Sequence, residues 1–348
     1  MEEEIIEVTL DETVLNQLGY EIYYDGEQET FLGVPKKIMC FKKDGQNINF
    51  LDIPSTYTYE GKKYKISKIG DRVFFNNKSL KGVNIPNSVT LIGRGAFMNC
   101  SSLTNLTIPN SVTIIGKEAF VDCSSLISII IPNSIKKIDT HIFTACESLT
   151  NIEIPNSVTE ICDCAFGNCS SLKNIIIPDS VTDIGCYAFS YCKSLKGVNI
   201  PNSVTKIGNN AFSNCSSLTS ITIPNSVIEI GDEAFQGCTS LTSVTIPDSV
   251  TEIGDRAFRY CSSLTNITIP DSVTEIGEEA FFYCSSLKNV TIPNSIIKIG
   301  AKAFADCTSL KSVNIPSNVT QIGESAFRNV SHIEYHGSAV PWGAKSMN

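Results

Sequence analysis

The chain has 348 residues, 42% of them apolar, and no uninterrupted apolar run approaches the roughly 18 residues of a membrane helix, which excludes a transmembrane segment on sequence grounds. Its net charge of -9 is unevenly spread: residues 1–35 hold ten acids and no Lys or Arg, whereas the rest carries 26 acids against 27 bases. A body this close to neutral, without a Lys/Arg stripe, argues against nucleic acid and against an anionic membrane surface as partners.

The start, "MEEEIIEVTL", lacks the basic segment and apolar core of a secretory signal. Either a signal has been removed or the protein stays inside the cell. "TLDETVLNQLG" predicts a short helix over residues 10–18, with Thr9 as N-cap, Glu12 as its capping-box partner and Gly19 as the stop. "YEIYY" and "IMCFKKDGQNINFLDI" predict strands, the second turning at Asp44-Gly45 as hairpins do. Residues 1–52 are therefore assigned to an N-terminal cap that shields the apolar end of the region beginning at residue 53.

From Pro54 onward the chain repeats itself. After an irregular copy containing "TYTYEGKKYKIS", prolines recur from Pro86 to Pro316 every 23 residues, eleven in all, without an insertion or deletion. A fixed period of this length is the mark of stacked coils, each burying its apolar side only against its neighbours. Residues 53–330 thus form one repeat domain of about twelve coils with the first irregular, and residues 331–348 a C-terminal cap, where Val330 replaces the expected Cys and "HIEYHG" departs from the pattern.

Within a coil the skeleton is P-[N/D]-S-V-T-x-I-G-x-x-A-F-x-x-C-x-S-L-x-x-[I/V]-x-I. The closing "L-x-x-[I/V]-x-I" alternates with period two and predicts one short parallel strand per coil. Pro has no amide hydrogen to give and ends the pairing. The Gly of "V-T-x-I-G" is expected to release a second turn through positive φ, and Asp139 and Cys162 replace it in two coils. "A-F-x-x-C" has the spacing of one helical turn. The Phe column, Phe74 and then Phe97 to Phe327, is expected to stack as a buried spine.

Ten cysteines recur at the same period from Cys100 to Cys307. A column with one thiol per coil does not converge on a metal, and pairing neighbours would break the equivalence of the coils. Buried, reduced thiols at a corner passed by a carbonyl fit better.

The eleven in-register copies resemble the leucine-rich repeat proteins of the bacterial surface-antigen (BspA-like) type, whose repeats read "IPxSVTxIGxxAFxxCxSLxxVx". The closing "HIEYHGSAVPWGA" is similar to that family's ending. The resemblance covers residues 53 to about 330. It implies an α/β repeat solenoid, a right-handed stack of 23-residue coils, and a non-catalytic binding role, with adhesion to host matrix or cell-surface proteins as the leading function and cell-surface or secreted localisation. An intracellular structural scaffold is the alternative, supported by the missing signal and by the many thiols that a reducing compartment would keep free.

The sequence itself supplies no catalytic constellation: three His, no glycine-rich phosphate loop, and acids scattered over turn positions. No enzyme, cofactor or metal is expected. Candidate binding residues are those pointing outward from the strands and the positions just before them: Thr104, Thr107, Lys173, Lys196, Thr222, Thr245, Thr268, Lys288 and Lys311, with Ile130 and Ile176 as apolar intruders. Tyr260 and Tyr283, one coil apart at one offset, form a second candidate suited to a protein partner. A glycan partner is weakened by sparse exposed aromatics, and a monomer is expected.

His141, Cys162, Cys164 and Cys186 crowd three consecutive coils where the template breaks. Three outcomes are open there: drift at variable positions, a Cys164–Cys186 disulfide, or a metal site.

Overall fold

A computed structural model describes residues 5–29, 35–43 and 46–336. The chain falls into two compact units, Met1–Leu172 and Lys173–Asn348. Each unit stacks parallel-strand coils at the 23-residue spacing.

Every regular coil contributes two short strands rather than one. In the first unit one ladder runs through Phe50–Asp52, Gly82–Asn84, Asn105–Thr107, Ser128–Ile130 and Asn151–Glu153. Its register is in step: Asn105 faces Ser128, Leu106 faces Ile129 and Thr107 faces Ile130. In Asn105–Thr107, Ser128–Ile130 and Asn151–Glu153 the central residue is buried and its neighbours are exposed, the alternation the sequence encodes. The second ladder uses the "x-I" before the glycine, as in Leu91–Ile92 paired with Ile114–Ile115. In the second unit the first ladder runs from Asn174–Ile176 to Asn289–Thr291, and the other from Asp183–Ile184 to Gln321–Ile322.

Helix is nearly absent, so the α/β class overstates it and the fold is a parallel-strand solenoid. The sole helix among the described residues is Glu12–Gln17, and its N-cap is Asp11, whose Oδ1 accepts from Val14 N at 2.9 Å, rather than Thr9. Asp11 wins because the helix begins two residues later than the capping-box spacing implies. Gly19 does end it, at φ +81°. The strands Pro35–Lys43 and Gln46–Ile48 pair antiparallel as the hairpin expectation required, while the turn pair Asp44-Gly45 lies outside the described residues.

The "A-F-x-x-C" segment is not a helical turn either. Its amides alternate between two kinds of acceptor. Gly95, Phe97 and Asn99 donate to Lys117, Ala119 and Val121 of the next coil at 2.9, 2.8 and 2.7 Å, whereas Ala96, Met98 and Cys100 donate back three residues within their own coil. Such a chain of turns requires a left-handed residue twice per coil, nine and thirteen positions after the proline. Those positions are Glu118 and Asp122, or Arg256 and Tyr260, with φ of 63°, 57°, 56° and 62°. Inter-coil bonds at every second residue explain why the period admits no insertion.

The turn glycine serves a different purpose from the one expected. Gly116 and Gly208 do not have positive φ; a Cβ on Gly208 would stand 2.6 Å from Cys186 N and 2.6 Å from Gly185 C. The glycine lets one coil's backbone touch the next. Where Asp139 replaces it, Lys137–Ile138 does not join the ladder of Ile114–Ile115. Cys162 stacks on Asp139 instead of on a glycine and keeps its bond, Cys162 N to Ile138 O at 3.0 Å. The two exceptions therefore stand on consecutive coils, next to the break in the second ladder.

Phenylalanines fill the centre of each unit. Phe74, Phe97, Phe120, Phe143 and Phe166 are fully buried in the first, with successive ring centroids 5.0–5.5 Å apart. From Phe189 to Phe327 the second repeats the arrangement at 5.1–5.6 Å. Offset-stacked rings at such spacing add to the area they bury.

Candidate binding surfaces

The cysteine column sits where a carbonyl passes. Cys123 Sγ donates to Phe97 O at 3.1 Å and Cys238 Sγ to Phe212 O at 3.2 Å, in each case 26 residues back. Burial pushes the Cys238 and Cys307 thiols up to about 12. These groups are protonated and shielded, hence poor nucleophiles and poor ligands.

The template break resolves differently. His141 Nδ1 lies 3.2 Å from Thr144 Oγ1, which donates to Cys164 O at 2.6 Å. Cys162 is buried, and its Sγ donates to Glu160 Oε1 at 3.3 Å, beside the Lys137–Glu160 ion pair at 3.0 Å. Burial and Glu160 raise that thiol to about 12. Among the described residues no group of three or more His, Cys, Asp and Glu is placed to hold a metal ion. Cys164 belongs to the first unit and Cys186 to the second, both half-buried. Titration after unfolding without reductant is expected to find all fourteen thiols of the chain. Twelve would instead establish one disulfide, which peptide mapping would then have to place at Cys164 and Cys186. In the folded protein a thiol reagent is expected to spare the Cys100–Cys307 column.

Thr222, Thr245 and Thr268 are aligned partners on three adjacent strands, all exposed. Thr107 is exposed as well, whereas Thr104 is half-buried and its Oγ1 donates to Lys81 O at 3.3 Å. Thr219, Thr242 and Thr265 at the same offset do likewise, so hydroxyls there tie coil to coil and are withdrawn from a partner. Lys173 and Lys196 are exposed on consecutive coils, as are Lys288 and Lys311. Ile130 and Ile176 are 65% and 79% exposed.

The tyrosines have more around them than the sequence indicated. Tyr260 meets Phe282 and Tyr283 edge-on, with centroids 5.6 and 5.9 Å away. The Arg259 guanidinium lies over the Tyr260 ring at 4.6 Å and the Phe282 ring at 5.4 Å. Arg259 is in turn held by Glu279 at 3.2 Å, and the same carboxylate binds Arg256 at 3.2 Å and Lys302 at 3.4 Å. Burial raises the Glu279 carboxyl, but Arg256, Arg259 and Lys302 outweigh it and hold the group below the usual carboxylate range.

The left-handed turn places these side chains. Tyr260, Tyr283, Arg256 and Glu279 all occupy positive-φ positions, from which they project along one edge. A signal for the missed charges exists in the sequence: at one offset the coils read Glu233, Arg256, Glu279, Lys302, alternating in sign. Phe50, 52% exposed on the strand face, was also missed because it precedes the regular repeats.

With this geometry in view, the family model of the BspA type leucine rich repeat region matches residues 39–173, 136–265 and 205–334. The chain belongs to that family. BspA-type repeat regions are generally surface or protein-interaction modules and typically non-catalytic. A leucine-rich repeat protein from Bacteroides ovatus is similar at 29% identity over 89% of this chain and 91% of that one, with a TM-score of 0.64. A leucine rich cell surface protein from Faecalibacterium prausnitzii is 36% identical over 94% of this chain and 98% of that one, with a TM-score of 0.59. The pneumococcal vaccine antigen PcpA shares the fold at 19% identity, covering 90% of this chain and 79% of that one, with a TM-score of 0.50. No curated protein matches the chain. Among the described residues no helix is long and apolar enough to cross a membrane.

Proposed function

We propose that this chain is a non-catalytic, cell-surface binding module that engages a protein partner, in an adhesive role, through the edge formed by Arg259, Tyr260, Phe282 and Tyr283. The observation that carries the reading is the clamped Arg259, whose guanidinium lies 4.6 and 5.4 Å from the centroids of two mutually edge-on aromatic rings and is paired with Glu279. Tyr and Arg dominate the residues that decide affinity in protein interfaces, and side chains already ordered before contact lose less entropy on binding. The named surface protein of Faecalibacterium prausnitzii, at 36% identity, supports the location.

The scaffold alternative drew on the thiol count. Thiols that are buried, and whose protonated form burial favours, survive in either redox compartment, so the count no longer favours the cell interior.

The test is surface plasmon resonance of the purified chain against immobilised matrix proteins, at low and raised salt. Binding to at least one is expected, weakened about tenfold or more, roughly 1.4 kcal/mol, by Tyr260→Ala or Arg259→Ala. Equal binding by both variants would remove this edge from the interface, and an empty panel would overturn the adhesive reading.

A further inference from the structure

We infer that the strand face of the first unit carries a site for a neutral glycan, centred on Phe50. The strand Phe50–Asp52 pairs with Gly82–Asn84 so that Phe50 stands opposite Gly82. A Cβ on Gly82 would lie 2.6 Å from Phe50 Cε2 and 2.8 Å from Cδ2, so the ring rests directly on the glycine. The regular first-unit coils carry Asn105, Ser128 and Asn151 at the equivalent place, each with a side chain that would displace the ring. The result is an aromatic ring laid on the sheet and 52% exposed.

Beside it opens a concavity of about 650 Å³, with Phe50 at one end and Ile130 at the other. That size falls within the range of small-molecule clefts. Between the two apolar ends lie Asn84, Asn105 and Thr107, with Asn84 and Thr107 paired across adjacent strands. No lining residue is charged. Ser128 Oγ donates to Asn105 Oδ1 at 3.3 Å, a bond that does not use the Asn105 amide hydrogens.

The chemistry selects the occupant. A carboxamide both donates and accepts, and so does a sugar hydroxyl, while an aromatic face receives the apolar C–H side of a pyranose ring. An anionic ligand would find no counter-charge to offset its desolvation, since the charges flanking the lining are the exposed carboxylates of Asp52, opposite Asn84, and Glu153, opposite Ile130. The second unit provides an internal contrast: a concavity of about 490 Å³ on its strand face has Asn289, Thr291, Asn294 and Asn314, with the His336 imidazole but no phenyl ring. The ring is what distinguishes the first-unit site.

The experiment is calorimetric titration of the full chain with neutral hexasaccharides of glucose, mannose, galactose and N-acetylglucosamine, and with an anionic heparin-derived hexasaccharide, at millimolar concentration. At least one neutral sugar is expected to bind, about tenfold more weakly or worse in Phe50→Ala and Asn105→Asp, and unchanged in Tyr260→Ala. Should Phe50→Ala alter thermal unfolding, the exposed Asn105→Asp carries the same test alone. Absence of binding by every neutral sugar, undiminished binding in these variants, or binding of the anionic sugar alone would overturn the inference. Because Tyr260 lies in the other unit, failure here leaves the protein-binding edge standing.

Discussion

Replacing Phe212 by alanine is expected to destabilise the protein by about 3–5 kcal/mol, the usual cost of deleting a buried ring. The side chain is fully buried, with neighbouring ring centroids 5.3 Å away at Phe189 and 5.6 Å away at Phe235. Its deletion therefore opens one cavity that two other rings line. The backbone there is equally committed, since Phe212 N donates to Ala234 O at 2.8 Å and Phe212 O accepts from Cys238 Sγ. In a stack where each coil touches only its neighbours, the damage should concentrate in the adjoining coils. Hydrogen exchange should show protection lost first around Ala211–Cys238, and chemical denaturation should report the free-energy change. Unchanged unfolding would contradict the spine, and a binding defect without a stability defect would mean the ring faces outward.

The Phe and Cys columns were legible because a strict period makes each position report its own environment eleven times over. An apolar residue that never varies at one offset belongs inside, and Phe97 to Phe327 and Cys100 to Cys307 lie there. The path between those anchors was not legible from spacing. Residues three apart suit a helical turn, but the same spacing suits turns whose alternate amides reach the next coil, and only the left-handed φ of residues such as Glu118 and Tyr260 separates the two. Ordinary side chains such as Glu118 and Arg256 occupy most of the first such positions and give no warning, whereas the second is Asn, Asp or Gly in seven of the eleven regular coils, a left-handed signal that the sequence does carry. Two strands per coil escaped for a related reason: the second, such as Glu229–Ile230, is two residues long and cannot show an alternation.

The candidate sites follow the same logic. Thr222, Thr245 and Thr268 are found on the outward strand column where alternation places them. Thr104 ties its hydroxyl to Lys81 O of the preceding coil, a bond that no pattern of polarity encodes. The Arg259–Glu279 clamp depends on contacts between consecutive coils, residues 20 apart in sequence but adjacent in space. It becomes visible once offsets, and not segments, are compared.

The glycine column supplies the second large effect. Gly208→Ala is expected to destabilise by about 3 kcal/mol, at the upper end for overpacking, although alanine ordinarily stabilises when it replaces glycine in a conformation it can adopt. The sign is decided by what the new methyl meets. Its nearest neighbours would be Cys186 N at 2.6 Å, Gly185 C at 2.6 Å and Gly185 O at 2.9 Å, all backbone atoms of the preceding coil that no rotamer change can move. Relief requires the coil to shift, which would break Gly208 N to Ile184 O, now 2.9 Å, and the pairing of Lys206–Ile207 with Asp183–Ile184. The chain already displays this at Asp139, where a side chain at the same offset coincides with a gap in the second ladder. Hydrogen exchange of the Gly208 amide should accelerate together with the loss of stability. Had the glycine been selected for positive φ, alanine would strain its own backbone and leave the neighbouring coil's amides untouched, so the location of the lost protection separates the two causes.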